Sequence, residues 1–138
     1  MPRLFKLEVH TPYRLFFSAD VEALTADIAD GQIGVLAGRA PFIAPLVTGV
    51  LRIRGEDQVW KEAAVSEGVL EVTADGATIL AGAAEWPTEI NRDRAEEAKL
   101  RAQEQLSAGM LAFESARARA SLARAENRIK VKERESPI

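Results

Sequence analysis

Cysteine is absent from the 138 residues, and histidine occurs once, at His10. Without cysteine there are no disulfides, no thiolate zinc sites and no cysteine nucleophile. A lone histidine gives no reason to expect a His-based metal site or a Ser-His-Asp triad. No apolar run reaches the length of about 18 residues that a membrane-spanning helix needs. The first ten residues carry charges and no long apolar block, so no secretory signal is expected. The chain should stay in the compartment that makes it. A net charge of −3 implies no general nucleic-acid electrostatics. Apolar residues make up 47% and charged residues 28%, enough for one modest core, or a small domain with an appendage.

The chain divides near Pro87. All glycines but Gly109 and all prolines but Pro137 lie at or before that point. Residues 1–88 carry a net charge of −5 and residues 89–138 a net charge of +2. The first part reads as short strands. Phe5, Leu7 and Val9 alternate with Lys6, Glu8 and His10, and Leu51 and Ile53 alternate with Arg52 and Arg54. Period-2 alternation marks strands buried on one face. Asp30-Gly31 and Asp75-Gly76 sit between apolar runs, which predicts type I′ hairpin turns there. Strands at this spacing predict a small sandwich or flattened barrel over residues 1–87. Asp20 and Glu22 are expected to be surface charges.

The second part, residues 88–138, reads as a two-helix hairpin. Asn91 is the expected N-cap, with Asp93 in the first turn. Ala95, Ala98, Ala102 and Leu106 then share one helical face. Ser107-Ala108-Gly109 signals the turn. The second helix is expected from about Met110 to about Val131, with Leu111, Ala112, Ala116, Leu122, Ala125 and Ile129 on its apolar side. The fold class is therefore α+β, a β-sandwich followed by an antiparallel helical hairpin. Contact faces made of alanine bury little area each, so the hairpin should dock weakly while remaining helical.

Residues 115–134 hold seven basic side chains against two acidic ones. Arg117, Arg124 and Arg128 recur at spacings that place them on one face. Such a run is commonly a solvated face. It also suits an anion or an acidic protein partner.

The segment Asp30-Gly31-Gln32-Ile33-Gly34-Val35-Leu36-Ala37-Gly38-Arg39-Ala40-Pro41, followed by Leu46, Gly49, Leu51 and Ile53, resembles the epsilon subunits of bacterial F-type ATP synthases. So do Leu7-Glu8-Val9 with Thr11-Pro12, Gly68-Val69-Leu70-Glu71-Val72, Ala84-Glu85 and the closing Arg124-Ala125-Glu126-Asn127-Arg128-Ile129. The resemblance spans nearly the whole chain in order. It implies a sandwich of about ten strands and a regulatory hairpin in a non-catalytic rotor subunit. The subunit would join the gamma subunit to the c ring during proton-driven ATP synthesis. It would lie peripherally on the cytoplasmic face of the inner membrane, touching the membrane only through the ring.

By this resemblance, Gly31, Gln32, Gly34, Gly38 and Arg39 face the c ring. The family usually has histidine where this chain has Arg39, and often an acidic residue where it has Gln32. Arg117, Arg119, Arg124 and Arg128 would form a basic face that meets the alpha/beta catalytic head and inhibits ATP hydrolysis. The resemblance also implies a regulatory ATP site at Glu85, Ile90, Asn91, Arg94, Ala95, Arg124 and Arg128, with any role for Mg²⁺ unspecified. Asn91 stands where the family motif has aspartate. No cofactor is otherwise required and no metal site is implied. At Asn91 and Arg94 the alternative is a helix cap and a surface charge. Two rival functions are a stand-alone nucleotide-sensing module of the same architecture and a β-sandwich hydrolase. The hydrolase lacks an acid/base constellation with motif support. Isolated copies could also pair through the gamma-binding face.

Overall fold

Alternating side chains decide the first half of the chain. In β1 (Phe5–His10), Leu7 and Val9 are fully buried while Lys6 is exposed. In β5 (Gly49–Gly55), Leu51 and Ile53 are buried while Arg52 and Arg54 are half-exposed. The computed structural model describes residues 3–109 and 111–135. Two compact units divide between Glu85 and Trp86.

The first unit contains nine strands among the described residues, in line with the expected sandwich of about ten. After β1 come β2 (Leu15–Ile28), β3 (Gly31–Leu36), β4 (Phe42–Leu46) and β5. β6 (Trp60–Val65), β7 (Gly68–Thr73), β8 (Gly76–Ala81) and the two-residue β9 (Ala84–Glu85) follow. The strand order is β4-β7-β8-β1-β2-β5-β6-β9, with β3 also on β2. All pairs are antiparallel except β1 with β8. The 14 residues of β2 serve both layers of the sandwich. Its first half pairs with β1, and its second half with β3 and β5. Between the layers Leu7, Leu24, Leu51, Leu70 and Ile79 are all inaccessible to solvent. Burial of each stabilises the fold by about 1.5–3 kcal/mol.

The two predicted hairpin turns exist, but not as type I′ turns. Their loop residues are Ala29-Asp30 and Ala74-Asp75, and neither pair has positive φ. The glycine follows as the first residue of the next strand, with φ +142° at Gly31 and +144° at Gly76. The left-handed residue closes each turn and is not part of the loop. Glycine is demanded twice over at Gly76, because a Cβ there would also strike the Lys6 carbonyl oxygen.

The second unit opens with a 3₁₀ turn, Pro87–Glu89. Helix α1 (Arg92–Ser107) is capped by Asn91, whose Oδ1 accepts the Arg94 N–H at 3.1 Å. Helix α2 (Ala112–Glu133) packs against α1 after a turn at Ala108-Gly109. Met110, where the second helix was expected to begin, lies outside the described residues. At the open end of the hairpin, Arg92 Nη2 meets Glu133 Oε1 at 2.7 Å, and Lys132 Nζ donates to the Pro87 carbonyl at 3.0 Å.

The buried side of α2 matches the expected one at Ala125 and Ile129, with Leu122 half-buried, and departs from it in the first half of the helix. Leu111, Ala112 and Ala116 are exposed, and Ala118, Ala125, Ile129 and Val131 are buried. Leu111 precedes the helix, and at about 100° per residue Ala116 falls on the face opposite Ala125. Alanine occurs so often here that several helical phases look equally apolar. The phase is set by Ile129 and Leu122.

Candidate functional site

The residues expected to face a partner ring lie on β3 and the loop after it. Gly31, Gln32, Gly34, Gly38 and Arg39 are all exposed, while Val35 is buried and anchors the segment. Gly31 and Gly38 need their glycines, with φ of +142° and +83°. Gly34 does not, since a Cβ there would make only ordinary contacts at 3.9 Å. Its carbonyl instead accepts Arg39 Nη1 at 2.5 Å. The Arg39 guanidinium also lies 5.0 Å from the Phe42 ring centroid. Both interactions hold Arg39 against its own loop.

Gln32 is tied to Asp27, which sequence reasoning did not single out. Asp27 Oδ1 accepts the Gln32 side-chain N–H at 3.3 Å, and its Oδ2 accepts the Val50 N–H at 2.9 Å. Its main-chain oxygen accepts the Val47 N–H at 3.1 Å. A Cβ on Gly49 would overlap the carboxylate, so this aspartate and this glycine are matched. Together they fix the β2–β3 turn against the β4–β5 connection. No local pattern marks a carboxylate that serves a distant turn.

A second cluster overturns the expectation for Glu22. Asp20 is exposed, but Glu22 is only 5% exposed. The register between β2 and β5 shifts between Val21 and Ala23, which makes Glu22 the extra residue of a β-bulge. A bulge re-aims its side chain. Glu22 Oε2 lies 3.0 Å from Arg54 Nε as an ion pair without the alignment of a hydrogen bond. The Gln58 amide donates to Oε1. Gln58 has φ +67°, and no other non-glycine among the described residues has a positive φ. Arg54 also stacks over Trp60, with 5.2 Å to the ring centroid.

The hairpin positions sort by exposure. Asn91 and Arg94 are exposed, Ile90 and Ala95 are buried, and Arg124 and Arg128 are half-buried. Glu85 lies in the first unit, at the end of β9. The Asn91 side chain is engaged as the helix cap. Arg124 Nη2 donates to Ser121 Oγ at 3.2 Å. Because the helices run antiparallel, Asn91 and Arg94 share the open end of the hairpin with Arg128. Arg117 and Arg119 are both exposed, but two residues turn a helix by about 200°, so Arg119 does not share the face of Arg117, Arg124 and Arg128.

The outer face of the first unit carries an exposed row across five strands. Pro45, Val69, Leu80, His10 and Leu15 are successive cross-strand partners on β4, β7, β8, β1 and β2. Val69, Leu80 and Leu15 are 41%, 57% and 52% exposed, and Ile43 beside them is 69% exposed. An exposed, mostly apolar row of this kind, interrupted by His10, marks an interaction surface.

Residues 4–87 match the beta-sandwich domain of the ATP synthase delta/epsilon chain, and residues 88–133 match its long alpha-helix domain. The chain is 46% identical over 129 residues to the ATP synthase epsilon chain of Caldicellulosiruptor bescii, covering 94% of this chain and 93% of that one. It is also 46% identical over 132 residues to the ATP synthase epsilon chain of Caldanaerobacter subterraneus, covering 95% of each. Its fold matches a chain in a structure of the Euglena gracilis mitochondrial ATP synthase that includes the c-ring. There the TM-score is 0.78 at 21% identity, over 92% of this chain and 80% of that one.

Proposed function

The chain belongs to the delta/epsilon-chain family of ATP synthases, the premise from which we propose how its two units work. It is a central-stalk subunit of a rotary ATP synthase and not the catalytic one. The sandwich is the joint. Its exposed, mostly apolar row from Pro45 to Leu15 takes the gamma subunit, and this row is the observation that carries the reading. The loop from Gly31 to Arg39, stapled by Asp27, rests on the c ring. A joint that transmits torque needs a rigid tip, and the staple supplies rigidity where β3 leaves the sheet. The subunit sits peripherally on the cytoplasmic face of the membrane, held there by the ring.

The hairpin is the regulatory part. Ala95, Ala102, Ala118 and Ala125 provide much of its buried surface. At about 0.8 kcal/mol per buried carbon the four alanine methyl groups contribute roughly 3 kcal/mol, to which the buried Ile90, Ile129 and Val131 add. An attraction between the basic residues of α2 and acidic groups of the catalytic head competes with contacts of that size. Arg117 and Arg119 are already exposed in this state. Ending the chain after Thr88 should raise ATP hydrolysis by the reassembled enzyme several-fold while leaving assembly intact. An unchanged hydrolysis rate would overturn the inhibitory role.

ATP is the proposed regulatory ligand of the hairpin, with Arg94 and Arg128 as the phosphate-binding groups. Asn91 keeps the capping bond that an aspartate would make, without its charge. Calorimetric titration of the full chain with ATP, with and without Mg²⁺, should show saturable binding that Arg94→Ala and Arg128→Ala each abolish. Absence of heat at millimolar ATP would remove the ligand and leave the rotor reading standing.

A further inference from the structure

Arg54 is held in place with unusual care for a residue at the end of a surface strand. The Glu22 carboxylate lies beneath it in a bulge, Gln58 is turned to positive φ to bond that carboxylate, and Trp60 stacks on the guanidinium. Two of these features, the bulge and the left-handed glutamine, cost backbone free energy. Stability alone does not call for them, because a buried ion pair is commonly no better than an apolar replacement. What the arrangement achieves is an oriented guanidinium in a fixed place.

That place is a groove. Arg54 forms one wall of a depression of about 470 Å³, whose lining includes Thr25, Gly34, Leu36, Arg39 and Trp60 and contains no carboxylate. Leu36 is 60% exposed and Trp60 is 44% exposed. Arg39 spends one donor on the Gly34 carbonyl and Arg54 faces Glu22, which leaves N–H groups of both guanidiniums for a ligand. Two arginines beside an exposed tryptophan are the composition of a binding anchor. The Glu22 charge offsets one of the arginines, and Arg3, whose guanidinium lies against Gly38, adds to the positive surroundings of the groove.

We propose that this groove is a carboxylate-binding site for an acidic side chain on a loop of the ring beneath the sandwich, with Arg54 as its fixed anchor and Arg39 closing over it. The occupant is a protein carboxylate because the planar fork of arginine matches one, and because Leu36 and Trp60 offer apolar contact to the chain that carries it. The inference rests on the proposed ring contact of the Gly31–Arg39 loop.

Trp60 reports on the groove directly. The chain has two tryptophans, so Trp86→Phe leaves Trp60 as the single indole. Detergent-solubilised c ring from the parent synthase should shift the Trp60 emission saturably, and raised salt should weaken the effect. The double variant Glu22→Gln/Arg54→Gln, which removes both charges together, should bind about tenfold more weakly, the loss of one charge-assisted contact. Arg39→Gln, which leaves the buried pair untouched, should also weaken binding. Circular dichroism melting confirms that each variant folds. Ring binding with a silent Trp60, or unchanged binding by both variants, would overturn the groove and leave the ring contact standing. No binding to the ring by the unaltered chain would overturn that contact and the groove together. An equal Trp60 shift with phosphatidylglycerol vesicles lacking the ring would overturn the proposal in favour of a lipid headgroup.

Discussion

Gly68→Ala is expected to lower the melting temperature of the sandwich by more than about 10 °C, the consequence of a loss near 3 kcal/mol in a domain of this size. A Cβ at Gly68 would lie 2.8 Å from Ala81 Cα and 2.9 Å from the Leu80 carbonyl carbon, and closer still to the Leu80 oxygen. These are backbone atoms of β8, paired in register with β7 from Gly68 and Ala81 to Thr73 and Gly76. No rotamer change relieves such a clash, so the strands must separate locally. Overpacking costs typically about 1–3 kcal/mol, and obstacles made of backbone belong at the upper end. Gly34→Ala is the matched control. Its Cβ meets nothing closer than 3.9 Å and its φ is not positive, so it should change stability by less than about 0.5 kcal/mol. Thermal melts followed by far-ultraviolet circular dichroism separate the two. A Gly68→Ala protein within about 1 kcal/mol of the original would mean that the β7–β8 register is free to slip.

The elements were legible where a single physical signal dominated. Alternation at Leu7 and Val9, and at Leu51 and Ile53, marks strands because each side chain has one face to occupy. Asn91 is a cap in the sequence and in the structure, since capping is decided within four residues. The misreadings share the opposite property. Glu22 looks like a surface charge because alternation extrapolates across it. The bulge that buries it arises from the mismatch of β2 with β5, a partner thirty residues on. Asp27 serves Val50 and Gln32 across two turns, and no local pattern distinguishes it from Asp30. The phase of α2 was legible at Leu122, Ala125 and Ile129 and failed at Ala116, for a different reason. Alanine satisfies buried and exposed positions alike, so Ala116 passes for apolar although it lies about 140° around the helix from Ile129, whereas Ala118, within about 20° of Ile129, is the buried one. The loop from Gly31 to Arg39 could be found by its glycines, but the hold on Arg39 by Gly34 and Phe42, though local, depends on the loop's backbone path and has no residue pattern that marks it.

Arg54→Ala is expected to destabilise the sandwich by about 2 kcal/mol, and more than Glu22→Ala does. Removing one partner of a buried ion pair costs about 3–5 kcal/mol when both are fully enclosed. Here the Arg54 side chain is 32% exposed and Glu22 is 5% exposed, so solvent screening reduces the figure. The asymmetry follows from the same burial. Loss of Arg54 strands an anion beneath the surface with only Gln58 to bond it, whereas loss of Glu22 leaves a cation that can turn towards water. The double alanine variant should therefore cost less than the sum of the single ones, with a coupling of about 1–2 kcal/mol. Urea unfolding of the four proteins measures it. Additivity within about 0.5 kcal/mol would show that the pair is not energetically coupled and that Arg54 is oriented by Trp60 alone. Coupling of the expected size has a functional corollary. The Glu22→Gln/Arg54→Gln protein should retain most of its stability while losing its hold on the acidic surface, because what the buried carboxylate supplies is the direction in which Arg54 points.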